Sequence, residues 1–341
     1  MDKYQLFSPA YEASFSLALA SLTRKIDGWL RLEAAEGRYV RFVRFFLSDA
    51  QNQYPLLQDA LGTWSWPAPD GITDHRPAVS CVEQPPLNFH RISALVHTSS
   101  EEPEWRFHSL RLTEDEAAGL DSYAQARLLF EKYLEIIKPL GLELKTHCVR
   151  TWIYVRDIDS NYAGVVRARN DVFDIEGLSH DTHYITSTGI GGATENRNAV
   201  VAIDFLTYPG ITESDKTYLK ALSHLSPTHD YGVAFERGVK LAGGHIYISG
   251  TASIDNHGNI LHEGNVMAQT ERLLENIGEL LKEGGSSMER IPYFLIYLRD
   301  ISDLNIVNCF MQERFPYIPR IILEARVCRP GWLIEMECEA V

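Results

Sequence analysis

The segment Arg150–Asp159, RTWIYVRDID, returns as Tyr293–Ser302, YFLIYLRDIS. Both hold I-Y-apolar-R-D-I: Ile153, Tyr154, Arg156, Asp157 and Ile158 match Ile296, Tyr297, Arg299, Asp300 and Ile301. A repeated motif of this kind predicts one supersecondary unit used twice. Upstream of each copy lies an amphipathic helix pattern, Gln125–Gly141 and Met267–Gly285. Leu129, Phe130, Tyr133, Leu134 and Ile137 make one apolar stripe; Leu273, Leu274, Ile277, Leu280 and Leu281 make the other. Gly141 and Gly284 sit where a helix C-cap asks for positive φ. Downstream come second helix patterns, Asn161–Phe173 and Asp303–Phe315, and then two β-prone stretches in each copy.

Each unit thus reads β, helix, β, helix, β, β. That pattern predicts an α+β protein of two units, each a mixed β-sheet with two helices packed on one face. His245–Asp255 is the opening strand of the second unit, and its counterpart is expected within Arg91–Ser100. Residues 1–75 match neither copy and are read as an added segment of the first lobe. The lobes are therefore 1–215 and 216–341, joined through the Pro/Gly-bearing stretch Thr207–Gly232.

Length and composition fit this division. The 341 residues suit two domains, and 45% hydrophobic with 23% charged residues is ordinary for a globular chain. The formal net charge of −14 and the lack of a Lys/Arg run argue against nucleic acid as a partner. A small anionic substrate would then need a local arginine site. The five cysteines are odd in number and show no C-x-x-C spacing, which fits reduced thiols in a cytoplasm. No signal peptide and no membrane span are expected.

Several residues carry candidate chemistry. In WLIEMECEA, Ile334, Met336 and Cys338 alternate with Glu335, Glu337 and Glu339. Period two allows a half-buried edge strand with a solvated acidic face. It also allows a carboxylic acid aimed into a pocket, its pKa raised by apolar walls such as Trp332 and by its carboxylate neighbours. Arg150, Tyr154, Arg167 and Tyr208 are candidate polar contacts for a ligand; the plain alternatives are a core tyrosine at 154 and a solvated arginine at 167. The glycines of STGIGG, Ser187–Gly192, fit no phosphate-cradling pattern and read instead as close backbone approach. His180, His183, His224 and His229 lack metal-ligand spacing, so no metal site is expected.

From about His245 onward the chain resembles the RidA family, also called YjgF/UK114. The resemblance rests on QTERLLENIGELLKEGG, the strand ending in R-D-I, and LIEMECEA. Arg320 and Glu324 keep the family's R-x-x-x-E spacing, with Pro319 displaced by one place. In that family the matching arginine holds a substrate carboxylate, which makes Arg320 a binding candidate. STGIGG, LSPTHDYGVAFERG (Leu225–Gly238) and ISGTASID (Ile248–Asp255) extend the resemblance to nearly the whole chain, which looks like the chorismatases.

The resemblance implies an enzyme that removes pyruvate from chorismate without a cofactor. It implies Glu335 as the proton donor, and Cys328 as the mark of the subgroup that makes 3-hydroxybenzoate. Hydrolysis to a dihydroxycyclohexadiene carboxylate, a RidA-type enamine/imine deaminase and a non-catalytic ligand sensor are the alternatives. An endoribonuclease activity is disfavoured by the acidic balance. The expected assembly is a monomer or a small homo-oligomer.

Overall fold

The computed structural model describes residues 2–69, 71 and 75–341. The repeated motifs form β6 (Cys148–Val155) and β12 (Phe294–Leu298), each an interior strand of its sheet. Around β6 stand β5 (Arg106–Leu110), the one-turn helix α3 (Glu114–Ala117), α4 (Ser122–Ile137), the one-turn α5 (Leu144–His147), α6 (Ile158–Ile175), β7 (Thr186–Gly191) and β8 (Val201–Thr207). Around β12 stand β9 (Lys216–Leu219), β10 (Gly238–Leu241), β11 (Ile246–Thr251), α7 (Val266–Glu283), α8 (Leu304–Arg314), β13 (Arg320–Glu324) and β14 (Ile334–Ala340). The chain is α+β, as the sequence pattern predicts.

The N-terminal residues form a sheet of their own. It comprises β1 (Lys3–Phe7), α1 (Phe15–Ala35), β2 (Tyr39–Leu47), α2 (Ala50–Thr63), β3 (Ala78–Glu83) and β4 (Ile92–Ser99). The strand orders are β1-β4-β2-β3, β5-β8-β6-β7 and β13-β12-β14-β11-β10-β9. With β9 and β10 set aside as an extension, all three share one plan: first strand, last strand, second, third. In each, only the second and third strands run parallel.

The segment Arg91–Ser100 therefore closes the N-terminal sheet, and β5 opens the middle one. Alternation in that segment identifies a strand but cannot identify its partner. Positive φ also falls one place later than expected at the end of α7, on Gly285 (φ 72°), while Gly284 stays helical (φ −72°).

Alternation along the central strands explains why the three units pack together. Ile153 lies under α4 and α6 with Leu129, Phe130, Val172 and Phe173. Its neighbour Tyr154 points the other way, into a core shared by Phe46, Leu95, Trp152, Leu206 and Tyr297 from all three sheets. Phe45 and Phe46 repeat this division in the N-terminal unit. The helices thus cover the outer faces, and the inner faces close on one another. Among the described residues, no helix is long and apolar enough to cross a membrane.

The inner faces also carry charge. Asp204 on β8 is fully buried and accepts from Ser80 Oγ (2.5 Å), Arg111 Nη1 (2.9 Å) and Tyr154 Oη (3.3 Å), with Arg44 Nη2 at 3.8 Å. Ser80 and Arg44 come from the N-terminal unit, so this carboxylate ties two sheets together. Removing one partner of a buried ionic cluster leaves an uncompensated charge. Asp204→Leu should lower unfolding free energy by about 3–5 kcal/mol, measured by urea denaturation. A loss below about 1 kcal/mol, the range of an exposed pair, would contradict this role.

Candidate functional site

A cavity of about 340 Å³ opens between the middle and C-terminal units. Its walls come from α6, β7, the segment 232–237, β11 and the turn that precedes β14. Glu335 and Cys328 both line it.

Glu335 is placed by strand alternation. β14 lies between β12 and β11, and Glu335 stands opposite Tyr297. It is 4% exposed. Burial, then the Glu337 charge two residues on, pushes its carboxyl up to about 8; Arg150 and Arg237 pull it back only in part. The acid is therefore protonated at neutral pH, the condition for donating a proton.

Glycines of the two motifs make room for this arrangement. A Cβ on Gly250 would lie 2.2 Å from Glu335 Oε1, so the carboxyl rests against bare backbone. A Cβ on Gly189 would meet Tyr162 Oη at 2.8 Å. Gly191 packs on the Arg326 backbone, with a would-be Cβ 2.8 Å from its nitrogen. Close backbone approach, as read from STGIGG, is what these positions require.

Three arginines line the same cavity: Arg169, Arg237 and Arg329. Arg169 is 1% exposed, and among the described residues its Nε and Nη2 have no hydrogen-bond partner. A buried guanidinium with open donors calls for an anion. Arg237 donates from Nη2 to the Ser226 carbonyl (3.1 Å) and lies over the Phe235 ring. Arg329 stacks over Trp332 at 4.9 Å and donates to the Gly258 carbonyl (3.2 Å). Apolar wall comes from Val166, Ala252, Ile254 and Trp332.

Cys328 is half-buried. Burial first, then the Glu335 charge, pushes its thiol up to about 12. It stays a thiol and is no nucleophile. A hydrogen bond to Tyr162 lowers its pKa but does not offset this.

The other sequence candidates lie outside this cavity. Arg150 is fully buried and donates from Nη2 to Thr188 Oγ1 (2.8 Å) and Glu337 Oε2 (2.9 Å). Tyr154 donates to Asp204. Both occupy inward positions on β6, two pleats apart, and alternation aims them at the shared core. Tyr208 Oη bonds Tyr247 Oη at 2.7 Å. Arg320 opens β13, two strands from β14, and donates from Nη2 to Gln312 Oε1 (2.6 Å). Arg167 is exposed over the Tyr123 ring. Two residues turn a helix by about 200°, so Arg167 and Arg169 face opposite ways.

A sequence signal for Arg169 nevertheless exists. It lies in the stripe Val165, Ala168, Arg169, Val172, Phe173, which is the buried face of α6. An arginine inside an apolar stripe at i, i+3, i+4, i+7 spacing is the signal. Arg237 stands within LSPTHDYGVAFERG, and Arg329 beside Cys328.

An unpaired buried charge costs stability that a bound anion recovers. Arg169→Met should raise the melting temperature of the ligand-free protein, by calorimetry, with the fold retained by circular dichroism. A lowered melting temperature would mean that the guanidinium serves packing.

Comparison with known proteins bears on this geometry. The family model for endoribonuclease L-PSP matches residues 225–341. The 3-aminoacrylate deaminase RutC of Acinetobacter baylyi is 31% identical over 93 residues, which are 27% of this chain and 74% of that protein. A chorismatase crystal structure at 1.08 Å resolution superposes with a TM-score of 0.67 at 17% identity, covering 100% of this chain and 98% of that one. That last likeness shows a shared fold across all three units. The fold, the matched C-terminal segment and the identity to RutC together assign the chain to the endoribonuclease L-PSP family, whose RidA-like units it carries.

Proposed function

We propose that the chain is a chorismatase, which removes pyruvate from chorismate and leaves 3-hydroxybenzoate. The observation that carries the proposal is an un-ionised carboxyl, Glu335, in a cavity with three arginines. Chorismate is a dianion of matching kind: one carboxylate on the ring, one on the enolpyruvyl group. A volume of about 340 Å³ falls at the small end of ligand sites.

Arg169, buried in the cavity wall, holds one carboxylate through its guanidinium. Arg237 and Arg329, on the other walls, face the second. So fixed, the substrate sets its enolpyruvyl methylene beside Glu335. The acid protonates that carbon and yields an oxocarbenium-like ether. The C4 hydroxyl oxygen then bonds to C3 and gives up its proton, which restores the Glu335 carboxyl. The bond from C3 to the ether oxygen breaks at the same time, and its electron pair leaves with pyruvate. Opening of the bond between C4 and the bridging oxygen, with loss of the C3 proton, aromatises the ring to 3-hydroxybenzoate. One chorismate becomes one hydroxybenzoate and one pyruvate, with no net water consumed or released. Cys328, as a neutral thiol, supports the internal route by filling the wall with a weak donor where a bound water would otherwise compete.

A second reading comes from the relative named 3-aminoacrylate deaminase. The arginine that the RidA resemblance matches to a carboxylate holder is Arg320, and it lies outside the Glu335 cavity. That separation favours chorismate. Pyruvate release from chorismate, set against ammonia release from 2-aminoacrylate, discriminates the two. Turnover of neither, with tight chorismate binding, would indicate a sensor.

Glu335→Gln should lower kcat by about 10²-fold or more without loss of melting temperature. The acid acts while protonated, so kcat should be level below about 8 and fall as pH rises through it. A plateau extending well above that value would remove Glu335 from the role. In ¹⁸O-labelled water, mass spectrometry should find no label in the ring product. Label in the ring would replace the internal route with hydrolysis.

A further inference from the structure

Thr188 in STGIGG stands 1% exposed on β7. Its hydroxyl donates to Glu337 Oε2, and accepts from Arg150 Nη2 (2.8 Å) and from the Gly250 N–H (2.9 Å). That is the whole capacity of a hydroxyl, one donor and two acceptor sites. Three elements from two units meet on this one oxygen: β6, β11 and β14.

Gly250 is the residue whose Cα supports the Glu335 carboxyl. Its amide nitrogen is one bond from that Cα. A backbone N–H given to a carboxylate stabilises the ionised form and lowers its pKa. The Thr188 methyl group is close as well, 3.0 Å from where a Gly250 Cβ would stand. We infer that Thr188 is a positioning residue for Glu335: its hydroxyl engages the amide of Gly250, against whose Cα the carboxyl rests, and withholds that donor from the carboxyl.

The same hydroxyl fixes the nearest charges. Glu337 from β14 disfavours the ionised acid; Arg150 from β6 and Arg237 ahead of β10 favour it. Tyr297 from β12 and Cys328 also lie within electrostatic reach. Arg169 and Arg329 line the same cavity. Arg150 and Glu337 are both bound to Thr188 as well as to each other. Trp152 Nε1, at 2.9 Å from Oε1, holds the other oxygen of Glu337.

This inference rests on Glu335 being the acid of the proposed reaction, yet its test needs no substrate. Infrared difference spectra of the ligand-free protein follow the protonated carboxyl band of Glu335, identified by its loss in Glu335→Gln. In Thr188→Val the freed amide turns to the carboxyl, and the titration midpoint should drop by about one pH unit or more. Thr188→Ser, which keeps the hydroxyl, should restore the original midpoint. The alkaline limb of kcat for pyruvate release should move with it, so that the loss in Thr188→Val grows with pH. An unmoved midpoint in Thr188→Val overturns the inference, as does an equal shift in Thr188→Ser, which would assign the effect to the methyl group. Should Thr188→Val fail to fold, Thr188→Cys, with a weak acceptor at the same place, must show the shift. Absence of chorismate turnover with the midpoint shift intact would sink the proposed reaction alone.

Discussion

One strand carries three carboxylates on one face, and all three are enclosed. Glu335, Glu337 and Glu339 alternate along β14, whose inner face meets the other two sheets. Enclosure makes each answer to its own neighbours. Glu339 accepts from Tyr4; burial would raise its carboxyl, but the pairing with His245 and the hydrogen bond from Tyr293 outweigh that and hold it at about 2. Glu337 is bound by Arg150, Trp152 and Thr188. Glu335, facing a cavity whose walls are partly apolar, goes the other way, to about 8. One period-two pattern thus yields two anchored carboxylates and one carboxyl that keeps its proton.

The three-sheet arrangement is what makes such a row tolerable. A buried carboxylate without partners would cost several kcal/mol. Here Glu339 draws Tyr4 from the first unit, and Glu337 draws Arg150, Trp152 and Thr188 from the second. Each of these two carboxylates is satisfied from across an interface, so the units cannot separate without exposing both sides. Outside pairs add to this: Asp159 on α6 takes Arg299 and Arg326, joining the middle unit to the C-terminal one. Arg299 and Arg156 are equivalent in the repeat, yet Arg156 caps the carbonyls of Thr194 and Asn196 within its own unit. The repeat fixes position, while the neighbouring sheet decides the partner.

Much of this is legible in the sequence, and the limits are physical. The helices α4, α6, α7 and α8 and the strand β14 follow from periodicity, and the strands β6 and β12 from the repeated motif. Glu335 stands out through the alternation of WLIEMECEA, and Cys328 only through the family resemblance. The third sheet is hidden because β2 keeps only the pattern: Phe45-Phe46-Leu47-Ser48-Asp49 stands where the repeats have I-Y-x-R-D. Only the aspartate survives, since Asp49 and Asp300 still serve as helix N-caps. Arg150 and Tyr154 read as ligand contacts because a polar residue on a strand does not reveal whether its face meets a cavity or another sheet. Arg320 is a similar case: its spacing fits the family, but it lies at the far edge of its sheet. Arg169 is the less conspicuous of two arginines on α6, although the helical stripe separates it from the exposed Arg167.

The proposed chemistry depends on a carboxyl that holds its proton without a substrate present. Carbon-13 NMR of side-chain carboxyls, with the Glu335 signal assigned by its absence in Glu335→Gln, reads that proton directly across pH. A midpoint near 8 in the ligand-free protein is the expected result. A midpoint at the ordinary glutamate value of about 4.3 would contradict it.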